Sequence, residues 1–455
     1  MAQMIFGAKD WVLTKVTPDC LKAKVEEGKE FMEKNMPKGV DEHGGGGEGG
    51  GMKITEYEAG WNVTNAIQGM FIVSLPYAVY HGGYWAIIAM VGISYICCYT
   101  GKILVECLYE EGVKVRYSYN DVADEVFGKK IGGRIVNAAQ LIELAMTCIL
   151  YVVLCGDLLI GAFEYGWIDT RSYMMLCGIL LLPCAFLKNL KAVSNLSFWN
   201  GVVHIIINVL IIVYCMLNIH NWAFSKVTFR VDILSFPIAL GIIVFSYTSQ
   251  IFVCTLEENM VDKNRFHCMM HWSHIAAALC KAIFGYVAFL NWQEDTQEVI
   301  VNNIDGWFKI IVNIILVVKA LLSYPLPYYA ACGLIEEELF KGKPDTLFPS
   351  IWSQDGELKI WGLGFRVGVV LVTILFAVFV PHFSLLMGFI GNFTGCLLSF
   401  VWPCVFHLYL RRHVMSWTTM CWDIFIILLG FLFALVGMYY SAKALNKAFL
   451  LGIPT

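Results

Sequence analysis

The chain has 455 residues, of which 58% are hydrophobic and only 15% charged, with a formal net charge of −4. An ordinary soluble domain carries about 25% charged residues, so a water-soluble fold could not hide this much apolar surface. The balanced charge, with no basic block, also excludes an electrostatic footprint for nucleic acid.

In chain order, residues 1–53 form a polar tail that ends in the run GGGGEGGG from Gly44 to Gly51, which reads as a flexible linker in a cytosolic extension. The opening residues lack a basic stretch followed by an apolar one and a small-residue cleavage site, so the first true span is expected to direct insertion. Apolar segments follow at about 61–80, 84–109, 135–161, 172–187, 198–217, 236–256, 272–292, 306–331, 367–382, 384–409 and 422–442. Most match the roughly 20 residues needed to cross a hydrocarbon core of about 30 Å. The expectation is an all-α polytopic membrane protein with about eleven transmembrane helices over residues 54–442 and a short tail at 443–455; ten or twelve spans are the nearest alternatives.

Lys and Arg are unevenly distributed over the short loops. If the tail is cytosolic, loops on its side hold Lys114, Arg116, Lys129, Arg134, Lys263, Arg265, Lys341, Arg411 and Arg412, among others, whereas the far side holds only Arg171, Lys226, Arg230, Lys443 and Lys447. A cytosolic N-terminus follows, and an odd span count puts the C-terminus on the other side. The 16 cysteines sit mostly inside apolar runs without paired spacing, so they read as buried thiols and no metal site is expected.

Two spans carry interruptions. The first has Gly69 near its middle and Pro76 further on, and the sixth has small and polar side chains from Ser246 to Gln250. Backbone at membrane depth leaves the helix only where it lines a cavity or is buried in protein. Breaks placed five spans apart suit a five-plus-five inverted repeat with a solute site at its centre, where helix N-termini hold a carboxylate and unwound carbonyls an ammonium. The other reading is that Gly69 merely permits close packing and the hydroxyls bond back to their own helix.

Deep ionisable residues are few because a charge at the bilayer centre costs at least about 2.5–3.5 kcal/mol. They are Glu143, His204, Lys281 and Lys319. Glu143, Thr147 and Tyr151 share one helical face, and so do Lys319 and Ser323, just before the YPLP run that begins at Tyr324. Glu143, Lys319 and His204 are the candidate proton-coupling groups. A structural ion pair of Glu143 with Lys319 or Lys281, and a hydrogen-bonded bundle role for His204, are the alternatives. No nucleotide-binding loop or hydrolase motif is present, so transport would draw on ion gradients and no cofactor is expected.

The blocks EAGWNVTNAIQGM from Glu58, CCYTGKIL from Cys97, LLPCAFLKNLKAVS from Leu181, GIIVFSYTSQIF from Gly241, FHCMM from Phe266, KALLSYPLP from Lys319 and VPHFSLLMG from Val380 resemble the vesicular inhibitory amino acid carriers of the amino acid/auxin permease family. The likeness runs from about residue 54 to 442. It implies a LeuT/APC-like inverted repeat plus one extra helix, with helices one and six broken. It further implies loading of GABA and glycine into synaptic vesicles, driven by the gradient of the vacuolar proton pump, with H+ and chloride as candidate coupling ions, by a monomer surrounded by lipid. By fold analogy, substrate contacts belong to Gln68, Gly69, Met70 and Phe71 on the first break and to Ser246, Tyr247, Thr248 and Gln250 on the sixth. Thr147, Tyr151, Ser323 and Tyr324 complete the expected set. A plasma-membrane or lysosomal neutral amino acid carrier is the alternative within the family; an ion channel or receptor is the alternative from another class.

Overall fold

In lipid every backbone polar group must be satisfied within the chain, which leaves the helix as the default for each apolar segment. The computed structural model describes residues 55–129, 131–163, 168–186, 191–229, 234–341, 346, 348–352 and 358–451, and omits the side chains of Gln68, residues 191–199 and Leu451. The polar tail at 1–53 lies outside the described residues. Among those described, nine helical stretches are long and apolar enough to cross a membrane, and a shorter apolar one covers Thr170–Phe186.

The first stretch, Glu56–Glu106, spans 51 residues and is divided twice. It starts with α1 (Glu56–Gln68), whose Thr55 cap accepts from the Glu58 N–H while the Glu58 carboxylate accepts from the Thr55 N–H at 2.7 Å. The helix ends at Gly69 and resumes as a tight turn, Met70–Ser74, followed by α2 (Leu75–Glu106). Within α2 the backbone at Gly83 is non-helical, with φ +54°. A Cβ at Gly83 would stand 2.1 Å from the Thr228 carbonyl, which accepts instead from the Tyr84 N–H at 3.2 Å, so only glycine fits. Gly83 falls at the boundary expected between the first two apolar segments.

A two-residue hairpin, β1 (Tyr109–Glu110) and β2 (Val113–Lys114), and the short α3 (Tyr119–Phe127) lead into α4 (Gly132–Ala162). Then come α5 (Thr170–Leu181) with its terminal turn Leu182–Phe186, α6 (Lys191–Leu217), and the pair α7 (Phe236–Tyr247) and α8 (Gln250–Asn259), separated at Thr248 and Ser249. Next follow α9 (Phe266–Trp292), α10 (Gly306–Ser323), α11 (Pro325–Leu339) and α12 (Ile360–Phe379). The chain continues through α13 (Phe383–Ile390), π-helical turns at Gly391–Gly395 and Leu397–Val401, and α14 (Trp402–Arg411). It finishes with α15 (Trp417–Leu451), which carries the chain through most of the residues expected to be a C-terminal tail.

The interrupted helices lie at the centre: the apolar windows of Phe236–Asn259 and Phe383–Arg411 are 78% buried, against 28% for α12 and α15. The outer pair instead presents Leu371, Leu375 and Phe376, and Leu428, Leu432 and Leu435, as a surface suited to lipid tails. The centre is held by backbone contact. A Cβ on Gly241 would meet the Gly388 carbonyl at 2.1 Å, and one on Gly391 the Gly241 carbonyl at 2.0 Å, so α7 and the span that begins with α13 touch with nothing between them.

Candidate functional site

Both breaks expected from the sequence are present. Between α1 and Met70 the backbone turns at Gly69, with φ −22° and ψ 179°. Between α7 and α8, Thr248 is extended and Ser249 is non-helical. The first N–H groups of the resumed helices have no intrahelical partner and bear the positive end of the dipole, while the preceding carbonyls bear the negative end. An ammonium and a carboxylate can therefore each find a complementary helix end.

The Phe71 ring lies directly after the first break and joins elements distant in sequence. Its centroid is 5.3 Å from that of Tyr151 on α4, 5.0 Å from that of Phe245 on α7 and 6.1 Å from that of Phe383 on α13. These four rings, with buried Met70, form an apolar platform at the meeting point of four spans. Phe71 and Tyr151 were legible in the sequence. Phe245 and Phe383 were not, since an aromatic in an apolar run carries no positional signal; their only marks are proximity to a break and to Pro381.

The residues of the sixth break divide by direction. Lys281 of α9 donates to the carbonyl of Ser246, and to its hydroxyl at 3.0 Å, and its ammonium sits 3.6 Å from the Tyr247 ring centroid. A fixed cation thus caps the negative end of α7. Gln250 turns toward α2, donating to the Cys97 carbonyl at 3.3 Å and the Thr100 hydroxyl at 3.1 Å, and accepts from Ser399 at 2.8 Å. Thr248 bonds back to the Val244 carbonyl at 3.1 Å. Ser246, Tyr247, Thr248 and Gln250 hold the break open from behind, whereas Gly69, Met70 and Phe71 face the aromatic platform. The side chain of Gln68 lies outside the described residues.

Among the described residues Glu143 pairs with no lysine. Its carboxylate accepts from the Thr394 hydroxyl in the π-helical stretch, and its carbonyl accepts from Thr147 at 2.8 Å. π-helical turns recur at functional sites, and here one presents a hydroxyl to the buried carboxylate of Glu143. Thr394 went unrecognised in the sequence, although the spacing of Gly388, Gly391 and Gly395 around it marks a helix of unusual packing. Ser323 accepts from the Asn200 amide at 2.5 Å, Lys319 is buried beside it, and the Tyr324 hydroxyl points instead to Thr373 on α12 at 2.7 Å. His204 lies 3.1 Å from the Asn208 amide and lines a small pocket with Trp61, Thr64 and Asn65, apart from Glu143.

Two further polar clusters escaped the sequence. Fully buried Asp423 of α15 accepts from the Tyr99 hydroxyl at 2.6 Å and lies 2.7 Å from His407 Nδ1, joining α2, α14 and α15. Glu298, in the connection between α9 and α10, accepts from the Ser384 N–H at 2.8 Å, and its carbonyl accepts from the Ser74 hydroxyl at 2.9 Å. Burial pushes the Glu298 carboxyl above its usual range, against the lowering effect of the Ser384 N–H. No cluster of metal-ligating side chains occurs among the described residues.

The signature of the family described as transmembrane amino acid transporter protein matches residues 52–443. The chain is 48% identical over 420 residues to the human vesicular inhibitory amino acid transporter, covering 90% of this chain and 80% of that one. It is 48% identical over 396 residues to the vesicular GABA transporter of Caenorhabditis elegans, covering 87% and 81%. Among solved structures it resembles the nucleobase-cation-symport transporter Mhp1 with a bromovinylhydantoin bound, at TM-score 0.53 and 11% identity over 88% of this chain and 93% of that one. A sodium-coupled sialic acid symporter matches at TM-score 0.51 and 10% identity over 88% and 90%. At such identity these two speak to the fold alone. The chain belongs to the transmembrane amino acid transporter family, and is a membrane transporter rather than an enzyme.

Proposed function

We propose that this protein loads GABA and glycine from the cytosol into synaptic vesicles by alternating access, driven by the proton gradient that a vacuolar pump maintains. The observation that carries the reading is the pair of helix breaks, at Gly69 and at Thr248–Ser249, beside one aromatic platform: they offer opposite helix ends to the two charges of a small zwitterion. The cargo and the vesicle rest on the relatives, which are named for inhibitory amino acids and for GABA.

In this reading the Glu56–Glu106 stretch crosses twice, with Gly83 at the reversal, and Thr170–Phe186 crosses once. Eleven spans result, ten of them an inverted five-plus-five repeat and the last an addition, in a protein acting as a monomer. The tail at 1–53 and the loops rich in Lys and Arg face the cytosol, and residues 443–455 end at the lumen. The excess of Lys and Arg in the loops holding Lys114, Lys263 and Arg411 supports this orientation, against the few on the other side such as Arg171 and Lys226. Glu143, held by Thr394, is the group assigned to proton exchange, and chloride is a second candidate coupling ion.

The test is uptake by proteoliposomes with pH gradient, membrane potential and chloride varied independently. Accumulation of GABA and glycine that follows the acid-inside gradient is expected. Uptake that persists without that gradient, together with transport by cells carrying the protein at the surface, would replace the vesicular reading with a plasma-membrane carrier. Single-channel currents under GABA would replace both.

A further inference from the structure

Among the basic groups buried in the described helices, Lys319 stands apart. Lys281 is anchored on Ser246, and Arg366 donates to Glu336 at 3.0 Å and lies over the Trp352 ring. Lys319 is 3% exposed, one turn before the end of α10, and its ammonium makes no hydrogen bond or ion pair among the described residues. An isolated charge in a low-dielectric interior is costly unless something pairs with it. The buried carboxylate of Glu143 is committed to Thr394 and does not supply that partner.

The surroundings of Lys319 are rich in donors. One turn on, Ser323 accepts from the Asn200 amide at 2.5 Å, which leaves the serine proton free to be donated elsewhere. The same Asn200 amide leans on the Lys319 carbonyl at 3.5 Å, fixing this stretch of α10 against α6. Tyr151 of α4 brings a phenol close to Ser323. Its ring packs at 5.3 Å on Phe71, directly after the first helix break. Ammonium, hydroxyl and phenol thus gather on one side of the aromatic platform with one uncompensated positive charge among them. A single charge suits a monovalent anion and leaves a dianion such as sulfate half unpaired.

We propose that Lys319, with Ser323 and Tyr151, forms an anion site in the membrane interior that takes one monovalent anion, either chloride or the carboxylate of the amino acid itself. The site deepens the transport reading and, for the carboxylate source, rests on it. A bound anion supplies the acceptor that the ammonium lacks, and the shared Tyr151 couples its occupancy to the platform beneath the first break.

The test is thermal melting of the purified full-length protein, titrated with chloride against gluconate, and separately with GABA and with butylamine, which lacks the carboxylate. Wild type is compared with Lys319→Gln and Lys319→Arg. If chloride is the ligand, it raises the melting temperature of wild type and of the arginine variant without amino acid, and the glutamine variant binds it about tenfold to a hundredfold more weakly. If the carboxylate is the ligand, chloride has no effect, GABA but not butylamine stabilises wild type, and Lys319→Gln loses that response by the same factor. Chloride and GABA midpoints unchanged in Lys319→Gln overturn the site and leave the amino acid reading standing. Stabilisation of wild type by chloride alone, lost in Lys319→Gln, keeps the site and sinks the amino acid reading; no response of wild type to either overturns both. Should Lys319→Gln fail to fold, Ser323→Ala and Tyr151→Phe replace it, and unchanged midpoints in both overturn the site.

Discussion

Two lysines one helix apart have opposite surroundings. Lys281 is enclosed by acceptors and an aromatic face at the end of α7, where its charge completes the structure. Lys319 is 3% exposed, yet its ammonium has no partner among the described residues, and its neighbours are donors. The pair teaches that burial alone does not assign a role to a membrane charge. A charge met by fixed acceptors belongs to the scaffold, and one left unmet is available to a ligand.

The comparison breaks most visibly at Lys281. Lys281→Met is expected to destabilise the protein by about 1.5–3 kcal/mol, since the Ser246 carbonyl and hydroxyl lose a charge-assisted partner. Thermal melting and a loss of uptake together check this; wild-type melting would make Lys281 dispensable to the break. Lys319→Met should move stability the other way. Removing an unpaired buried charge is expected to stabilise the protein by about 1–4 kcal/mol in anion-free buffer, read as a higher melting temperature, while transport falls. A drop instead would mean that Lys319 is structural.

Glu143→Gln sharpens the contrast, because glutamine still accepts from Thr394. Stability should change by less than about 1.5 kcal/mol while proton-driven uptake is lost. Unchanged uptake would return Glu143 to the scaffold.

The smallest effect is expected at Glu298. Its folded pKa lies above the unfolded value of about 4.3, so its contribution to stability is complete at acid pH and disappears as pH rises through the folded value. Wild type should therefore gain melting temperature on acidification, and Glu298→Gln should show a flatter profile. Equal slopes for the two proteins would remove Glu298 from the pH response.

Much of the architecture was legible because lipid imposes simple rules. Apolar runs of the right length, Gly69 in the first of them and the small polar stretch from Ser246 announced helices and two breaks through composition alone. The site was legible only in part. Glu143 stood out as a rare charge, Tyr151 as a residue on its helical face and Phe71 as a residue beside a break, but their partners Thr394, Phe245 and Phe383 come from distant spans, and single-span periodicity contains no record of which helices meet. Tyr324 was marked by its prolines, yet its hydroxyl serves α12, because the direction of a side chain past a helix break depends on the backbone there. Asp423 and His407 form a dyad that neither segment predicts by itself.

The seam of Gly241, Gly388 and Gly391 has a consequence for how the transport cycle can be watched. Helices that touch backbone to backbone have no side chains between them to yield, so α7 and the span beginning at α13 are expected to travel as one piece. Spectroscopic labels on those two spans would report a constant separation throughout turnover and serve as an internal ruler. Against it, displacement of α4 or of α10, which carries Lys319, becomes a measurable stroke.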